Sequence, residues 1–234
     1  MNWRKIVGTI TLILGLLLIG LYFGLDYYVA YRSQPSVIED IPVEVLHENA
    51  TREVPNHNEE IMDYEVMTTL KMIPKLNTEY AIGQIYSPDI DMNLPIMQGV
   101  TNNNMWLGAG TMRLDAVMGE GNYPLAGHYT YTRGLLFRNI HDVPIGTDFY
   151  VTDKETIYHY RIFSRELYPT DAVYMVENDR AEQRGNPILS LMVCNVTDEG
   201  GRIFAVGDLI DSWPYWKGIP GHEDIIPARE HLNR

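Results

Sequence analysis

The sequence predicts an all-β domain, either a barrel or a sandwich with small helices in its connections, carried on an N-terminal membrane-spanning helix. From about residue 80 onward the chain alternates short apolar runs with turn signals, which gives seven or eight candidate strands. A charge-free apolar run lies near the N-terminus. An acidic, proline-interrupted segment separates this run from the strands.

The N-terminal apolar run covers residues 6–25 and is long enough to cross a bilayer as a helix. Arg4 and Lys5 precede it and tyrosines follow it, so the positive-inside rule predicts a cytoplasmic N-terminus and an extracytoplasmic remainder. Residues 26–28 do not form the small-residue cleavage site of a signal peptide. The sequence therefore favours an uncleaved single-pass anchor in the cell membrane, with residues 1–5 as a cytoplasmic tail.

The segment after the anchor is strongly acidic. Residues 39–65 contain nine acidic side chains and one basic side chain, Arg52. We interpret residues 26–75 as a solvated, self-repelling spacer that is partly helical near residues 59–70. The net charge of −13 over 234 residues makes nucleic acid and anionic lipid poor partners. The length suffices for one domain with a sizeable core.

The candidate strands lie between residues 82 and 210. The first two, 82–86 and 94–97, precede a polar stretch at 101–104 whose side chains can cap a short helix through Leu107. Residues 156–162 alternate between two faces, as in a half-buried strand, which we extend to residue 165. The remaining candidate strands are 123–128, 148–152, 188–194 and 202–210.

Three side chains at strand ends have the chemistry that acyl transfer needs. Cys194, the only cysteine, ends an apolar strand and has no disulfide partner within the chain. His128 lies where a strand gives way to a polar loop, and Arg202 opens the last strand. They supply a nucleophile, an acid/base and an oxyanion partner. An inert, buried thiol is the alternative, but an unpaired cysteine outside the cytoplasm favours a reactive thiol.

The other histidines have plainer interpretations. His141 is interpreted as a helix-end residue with a capping or dipole role, and His159 as a paired or exposed strand residue. The remaining four are interpreted as solvated surface residues: His47, His57, His222 and His231.

The sequence indicates no metal site and no cofactor. It has no second cysteine, no His-Glu-x-x-His motif and no phosphate-binding loop. The pairs Asp89/Asp91 and Asp198/Glu199 could hold calcium, but neither has the spacing of a calcium-binding hand. We therefore expect a reaction without a cofactor, and calcium remains an open alternative.

Taken in order, these motifs resemble the sortases, membrane-anchored transpeptidases of Gram-positive bacteria. The resemblance rests on Leu125-Ala126-Gly127-His128, on Ser190-Leu191-Met192-Val193-Cys194, and on Arg202 eight residues after the cysteine. It covers about residues 76–212, which we assign as the catalytic domain, and leaves 213–234 as a C-terminal tail. It implies an eight-stranded sortase-type β-barrel with short connecting helices.

The subclass follows from what the chain lacks. Pilin-polymerising sortases commonly carry an Asp-Pro-aromatic lid motif and a second membrane span, and neither occurs in this sequence. The chain therefore resembles class A, the housekeeping type. Two positions depart from the family's usual pattern: Ser190 and Val193 stand where threonines are usual.

The resemblance also implies a reaction. Cys194 would attack the Thr carbonyl of an LPXTG-like C-terminal sorting signal, His128 would protonate the departing Gly amine, and Arg202 would stabilise the oxyanion. An amine of lipid II, the peptidoglycan precursor, would then resolve the thioacyl enzyme, so the product is a wall-linked protein. The implied substrate-binding residues, of which the second and third fit an ordinary core equally well, are Ala126, Ala172, Val173 and Val193.

Two other functions remain open at this point. A hydrolytic cysteine peptidase would use the same residues, although papain-type enzymes place the cysteine before the histidine and at a helix start. A non-catalytic, membrane-tethered β module that binds wall components would show no special reactivity at Cys194. An assay with an amine acceptor and a mild alkylating probe separate these alternatives.

Overall fold

A closed barrel of eight strands forms the centre of the computed structural model, which describes residues 3–195 and 200–226. The strands are β1 (Ala81–Ser87), β2 (Met92–Met97), β3 (Ala109–Thr111), β4 (Asn122–Gly127), β5 (Asp148–Thr152), β6 (Thr156–Tyr168), β7 (Ile188–Cys194) and β8 (Arg202–Pro214). Around the barrel their order is β1-β2-β3-β4-β7-β8-β6-β5. The β2–β3 and β4–β7 pairs are parallel, and the others are antiparallel. The predicted barrel is confirmed.

Helices lie at the N-terminus and in the connections. The α-helices of the described residues are α1 (Trp3–Arg32), α2 (Val43–Ala50), α3 (Val66–Met72), α4 (Asn102–Leu107) and α5 (Asp179–Arg184). Short 3₁₀ helices include Arg138–Asp142 and Val173–Val176. Helix α4 begins as predicted, because the Thr101 hydroxyl caps it by accepting the backbone N–H of Asn104 at 3.2 Å.

Helix α1 contains the predicted anchor and continues beyond it. It is long and apolar enough to cross a membrane, and its most apolar stretch is not buried against the rest of the protein. Towards its C-terminal end Leu25, Asp26 and Val29 are buried against the barrel domain. The helix therefore passes from the predicted anchor into the folded domain without a break.

The segment between the anchor and the barrel is folded, so its interpretation as a solvated spacer is wrong. Ile38 and Leu46 are buried in the same apolar cluster as the barrel interior. The buried Asn49 side chain donates to the backbone oxygen of Ala81 at 2.9 Å. The acidic side chains of α2 are exposed, whereas Leu46, which lies between them in the sequence, is buried against the barrel. Of the predicted helix near 59–70, only the part within α3 is helical.

The other differences concern β3, β8 and the C-terminal tail. Strand β3 was not predicted, because Ala-Gly-Thr has no apolar run. Strand β8 ends at Pro214, past its predicted end at residue 210. After it, Ile219 and Ile226 are buried beside Ile157 of β6, so the first part of the tail packs on the barrel. Residues 227–234 lie outside the described residues.

The two faces of β7 meet different surroundings. Leu189, Leu191 and Val193 lie in the main core inside the barrel, whereas Met192 packs in separate apolar clusters outside it. Side chains alternate along a strand, so Cys194 shares the outer face with Met192. This alternation decides which residues of β7 a substrate can reach.

The packing of residues 33–65 predicts a specific loss of stability. Leu46→Ala should lower the free energy of unfolding by about 2–4 kcal/mol, because it leaves a cavity in the main core. The adjacent Val45, 39% exposed against 0% for Leu46, is the matched control, and Val45→Ala should cost under about 1 kcal/mol. Denaturant unfolding of the full chain in detergent measures both. A solvated spacer would give equal, small effects.

Candidate active site

Strand register brings the three predicted catalytic residues together. Cys194, the last residue of β7, pairs with Arg202, the first residue of β8. Gly127 pairs with Val193 across the parallel β4–β7 ladder. The next residues along these two strands, His128 and Cys194, are therefore neighbours on the same face. Residues that are distant in the sequence thus meet at three adjacent strand ends.

His128 lies in an aromatic environment and is only 5% exposed. Its ring meets Trp106 edge-on, with 4.3 Å between ring centroids, and Tyr64 lies 6.1 Å away. The buried Nε2 atom has no hydrogen-bond partner among the described residues. Burial lowers the pKa of His128 to about 3, so its ring is neutral at pH 7.

The Cys194 thiol is partly buried and protonated at neutral pH. Burial raises its pKa, Arg202 lowers it by opposite charge, and the Asp63 carboxylate raises it again, so the net shift is upward. Arg202 therefore favours the thiolate, but the neutral His128 adds no positive charge to help it. The resting pair is a thiol beside a neutral imidazole.

An N-terminal segment covers this pair. We call residues 57–65 the strap. Its backbone is fixed to the start of α4, where Asn58 donates to Val100 O at 2.9 Å and Met62 donates to Asn102 Oδ1 at 2.9 Å. Farther along, Ile61 packs against the outer-face cluster that contains Ala126. The strap therefore occupies part of the surface beside the thiol.

Tyr64 closes the strap over the histidine. Its ring stacks on Trp106 with centroids 5.9 Å apart. Its hydroxyl donates to Asp26 Oδ1 at 3.1 Å, and the same carboxylate accepts the Thr132 hydroxyl. Burial and the Asp26 charge raise the pKa of Tyr64, so the phenol stays protonated and keeps donating. Asp26, near the end of α1, thus links the strap to the loop that follows His128.

The four predicted substrate-binding residues differ in location and burial. Ala126 and Ala172 are buried on the outside of the barrel, in two clusters that share Met192. Val173 is 73% exposed on the adjacent loop. Val193 is fully buried inside the barrel, so its predicted contact with substrate is wrong. Alternation along β7 turns its side chain away from the face that bears the thiol.

No metal centre is built from the described residues. They contain no group of three or more histidine, cysteine, aspartate or glutamate side chains that could hold an ion. Asp89, one of the calcium candidates, instead accepts the backbone N–H of Asp148 at 3.1 Å. Asp198 and Glu199 lie outside the described residues.

Sequence reasoning missed four residues of this site. Met192 could have been found, because it lies two positions before Cys194 on the same strand face. Asp63, Tyr64 and Trp106 could not, since they reach the site through long-range packing that no local pattern records.

The closed barrel, with a thiol, an imidazole and a guanidinium at neighbouring strand ends, is the arrangement of a cysteine-dependent acyl-transfer enzyme. Residues 85–210 match the family model described as the Sortase domain. The chain is also 31% identical to the sortase A of Listeria monocytogenes serovar 1/2a over 207 residues, 88% of this chain and 91% of that protein. It therefore belongs to the sortase family.

Other comparisons agree. The sortase A of Bacillus anthracis is 26% identical over 215 residues, which cover 90% of this chain and 97% of that protein. The solved structure of Listeria monocytogenes sortase A superposes with a TM-score of 0.56 at 31% identity, over 64% of this chain and 99% of that one. The predicted family, class A, and the predicted cysteine transpeptidase activity are confirmed.

The strap predicts that the thiol is shielded at rest. Tyr64→Ala removes the stacked ring and the hydrogen bond to Asp26, so the rate of Cys194 alkylation by iodoacetamide should rise about tenfold. Met67→Ala, at a residue 64% exposed just beyond the strap, should leave the rate unchanged. Mass spectrometry of the full chain in detergent measures both rates. Equal rates in the wild type and Tyr64→Ala would contradict the shielding.

The neutral histidine predicts an acid-sensitive fold. The pKa of His128 is about 3 in the folded chain and 6.5 when exposed, so its contribution to stability is complete above pH 6.5 and is lost as the pH falls towards 3. Between pH 7 and pH 5 the wild type should therefore lose about 2 kcal/mol more unfolding free energy than His128→Phe. Denaturant unfolding at both pH values tests this. Identical pH dependence in the two proteins would refute it.

Proposed function

We propose that this sortase cleaves an LPXTG-like sorting signal between Thr and Gly and joins the Thr carboxyl group to an amine of a peptidoglycan precursor. The Cys194 sulfur attacks the Thr carbonyl carbon, and a tetrahedral intermediate forms. When the C–N bond breaks, the Gly amine leaves and a thioester to Cys194 remains. The amine of lipid II then attacks the thioester, which restores the thiol and forms the new amide.

The neutral thiol–imidazole pair suits this reaction. His128 accepts the thiol proton as sulfur attacks, and the imidazolium donates it to the departing amine. In the second half the neutral imidazole takes a proton from the incoming amine, and the thiol regains it when the thioester breaks. The unpartnered Nε2 atom supports this proposal, since no described group competes for the proton.

Arg202 is the proposed oxyanion partner. Its guanidinium acts on the charge of Cys194, and the two residues are paired across β7 and β8. One planar, permanently charged donor at this position can stabilise the tetrahedral oxygen by a few kcal/mol. Its Nη1 donates to Gly201 O at 3.1 Å, and no other residue of 3–195 or 200–226 accepts from the remaining N–H groups of the fork, which we assign to the oxyanion.

The sorting signal is proposed to bind on the outer face around Met192. Ala126 and Ala172 border this face, and Val173 lies exposed beside it. Ile61 of the strap packs in the same cluster as Ala126. The strap must therefore leave this surface before the Leu-Pro part of a signal can occupy it.

We further propose that α1 anchors the enzyme in the cell membrane with its N-terminus in the cytoplasm and the barrel outside. The basic residues Arg4 and Lys5 before the apolar stretch support this orientation. The partners are then secreted proteins with sorting signals and the membrane-bound precursor. That the reaction needs no cofactor stays a prediction.

One observation supports the proposal: Cys194 pairs with Arg202, and Gly127, which precedes His128, pairs with Val193, which precedes Cys194. Hydrolysis of the thioester by water is the second candidate, because a cysteine peptidase would use the same three residues. No feature of the described residues favours water over an amine.

The catalytic assignments predict distinct losses. Cys194→Ala should lower turnover of a fluorogenic LPXTG peptide to under about 1% of wild type, because no thioester can form. Arg202→Lys should lose at least about tenfold, since a compact ammonium cannot replace the planar fork. Arg161→Lys, at an exposed arginine of β6 that pairs with Asp148, is a matched control and should keep most of the rate. Turnover above a few per cent in Cys194→Ala would remove the nucleophile assignment.

The same assay separates transfer from hydrolysis. With an amine acceptor that mimics the precursor, the wild type should form mainly the amide, and mass spectrometry of the products gives the ratio. Only the hydrolysed peptide at every acceptor concentration would indicate a peptidase.

A further inference from the structure

One histidine beside the active site has no part in the mechanism above. His141 contacts the residue that follows each of the two central catalytic residues. Its ring centroid is 5.4 Å from that of Tyr129, which follows His128. Its Nε2 atom is 3.2 Å from Oδ1 of Asn195, which follows Cys194. A single side chain therefore bridges the ends of β4 and β7.

The orientation of this ring is fixed from its other side. Nδ1 of His141 is 2.8 Å from Oδ1 of Asp142, and Nη1 of Arg138 donates to the other carboxylate oxygen at 2.8 Å. Hydrogen bonds from Arg138 and from His141 lower the pKa of Asp142 to about 2, so the carboxylate stays ionised. The backbone oxygen of His141 accepts Nη1 of Arg165 at 2.8 Å. Side chain and backbone are both held.

Asn195 carries the contact to the paired ends of β7 and β8. Its side-chain amide donates to Gly200 O at 2.7 Å, and its backbone N–H donates to Gly201 O at 3.1 Å. Because the amide nitrogen donates to Gly200, the oxygen of the Asn195 side chain is the atom that faces Nε2 of His141. Cys194, which precedes Asn195, and Arg202, which follows Gly201, are therefore next to these hydrogen bonds.

The loop that carries His141 is also fixed to β4. The backbone N–H of Phe137 donates to the oxygen of His128 at 3.1 Å. The Phe137 ring fills the space beside Gly127, where a Cβ atom would lie 2.2 Å from it. Glycine is therefore required before the catalytic histidine. These two contacts hold the start of the 3₁₀ helix Arg138–Asp142 against the end of β4.

We propose that His141 is a positioning residue, which fixes the separation of His128 and Cys194 by holding Tyr129 and Asn195. The proposal rests on the proposed catalytic roles of His128 and Cys194. A proton moves between the sulfur and the imidazole in both halves of the reaction, and a displacement of about 1 Å in such a pair costs about 100-fold in rate. His141 lies outside the apolar clusters around the proposed signal-binding face. Its loss should therefore lower kcat and leave KM unchanged.

Three substitutions at His141 separate its two ring nitrogens. His141→Phe keeps an aromatic ring beside Tyr129 and removes both nitrogens. His141→Gln puts an amide nitrogen near the Nε2 position, where it can donate to Asn195. His141→Asn puts an amide near the Nδ1 position, where it reaches only Asp142. The matched control is His159→Phe, because His159 also bonds an aspartate, at 2.9 Å, and stacks on a tyrosine, but in β6.

The experiment measures kcat and KM of the full chain in detergent with an LPXTG peptide and an amine acceptor. His141→Phe and His141→Asn should each lose at least tenfold in kcat with KM within twofold, His141→Gln should keep at least a third of kcat, and His159→Phe should match the wild type. The double variant His141→Phe/Asn195→Ala should lose no more kcat than the worse of the two single variants, because both substitutions remove the same contact between His141 and Asn195.

Several results would overturn the proposal. These are a kcat above half of wild type in His141→Phe, equal losses in His141→Gln and His141→Asn, or losses in the double variant that multiply. Hydrogen exchange at the Asn195 backbone amide gives a readout that needs no turnover. Faster exchange in His141→Phe supports positioning even if the wild type transfers no peptide, which would refute the proposed function alone. Unchanged exchange overturns the positioning role.

Discussion

The site depends on the pairing of β7 with its two neighbours. Parallel pairing with β4 places His128 beside Cys194, and antiparallel pairing with β8 places Arg202 opposite the same cysteine. A shift of one residue in either ladder would turn the thiol into the barrel or separate it from its partners, because side chains alternate between the two faces. The closed barrel prevents such a shift, since β7 has no free edge and its inner residues are fixed in the main core.

Burial of the site beneath the strap explains why His128 and Cys194 are both neutral. A buried imidazole and a partly buried thiol are both least costly in their neutral forms, so closure and neutrality support each other. The carboxylate of Asp63 acts in the same direction on the thiol. In the proposed reaction, a substrate that displaces the strap would change the dielectric surroundings of both groups at once.

Much of the fold could be predicted because the signals are local, and the same signals put the three candidate catalytic residues at strand ends. Apolar runs that end in Cys194 or in Gly127-His128 mark strand ends, and a capping threonine marks α4. Strand β3 and the folding of residues 33–65 could not be predicted, since their apolar residues are sparse and gain stability only against the barrel. The Val193 error was avoidable, because strict alternation along β7 already turns that side chain inward. The roles of Tyr64 and His141 depend on contacts between distant segments, which one sequence does not reveal.

The unbroken helix α1 has a consequence for where the enzyme can work. It continues from Leu25, the last residue of the apolar stretch, to Arg32, a length of about 10 Å, and it packs on the domain through Leu25, Asp26 and Val29 over that distance. With α1 anchored in the membrane as proposed, this unbroken connection would hold the barrel close to the bilayer surface. Peptide bonds farther from the membrane would then be out of reach whatever their sequence. Selection by distance from the membrane would thus accompany selection by chemistry.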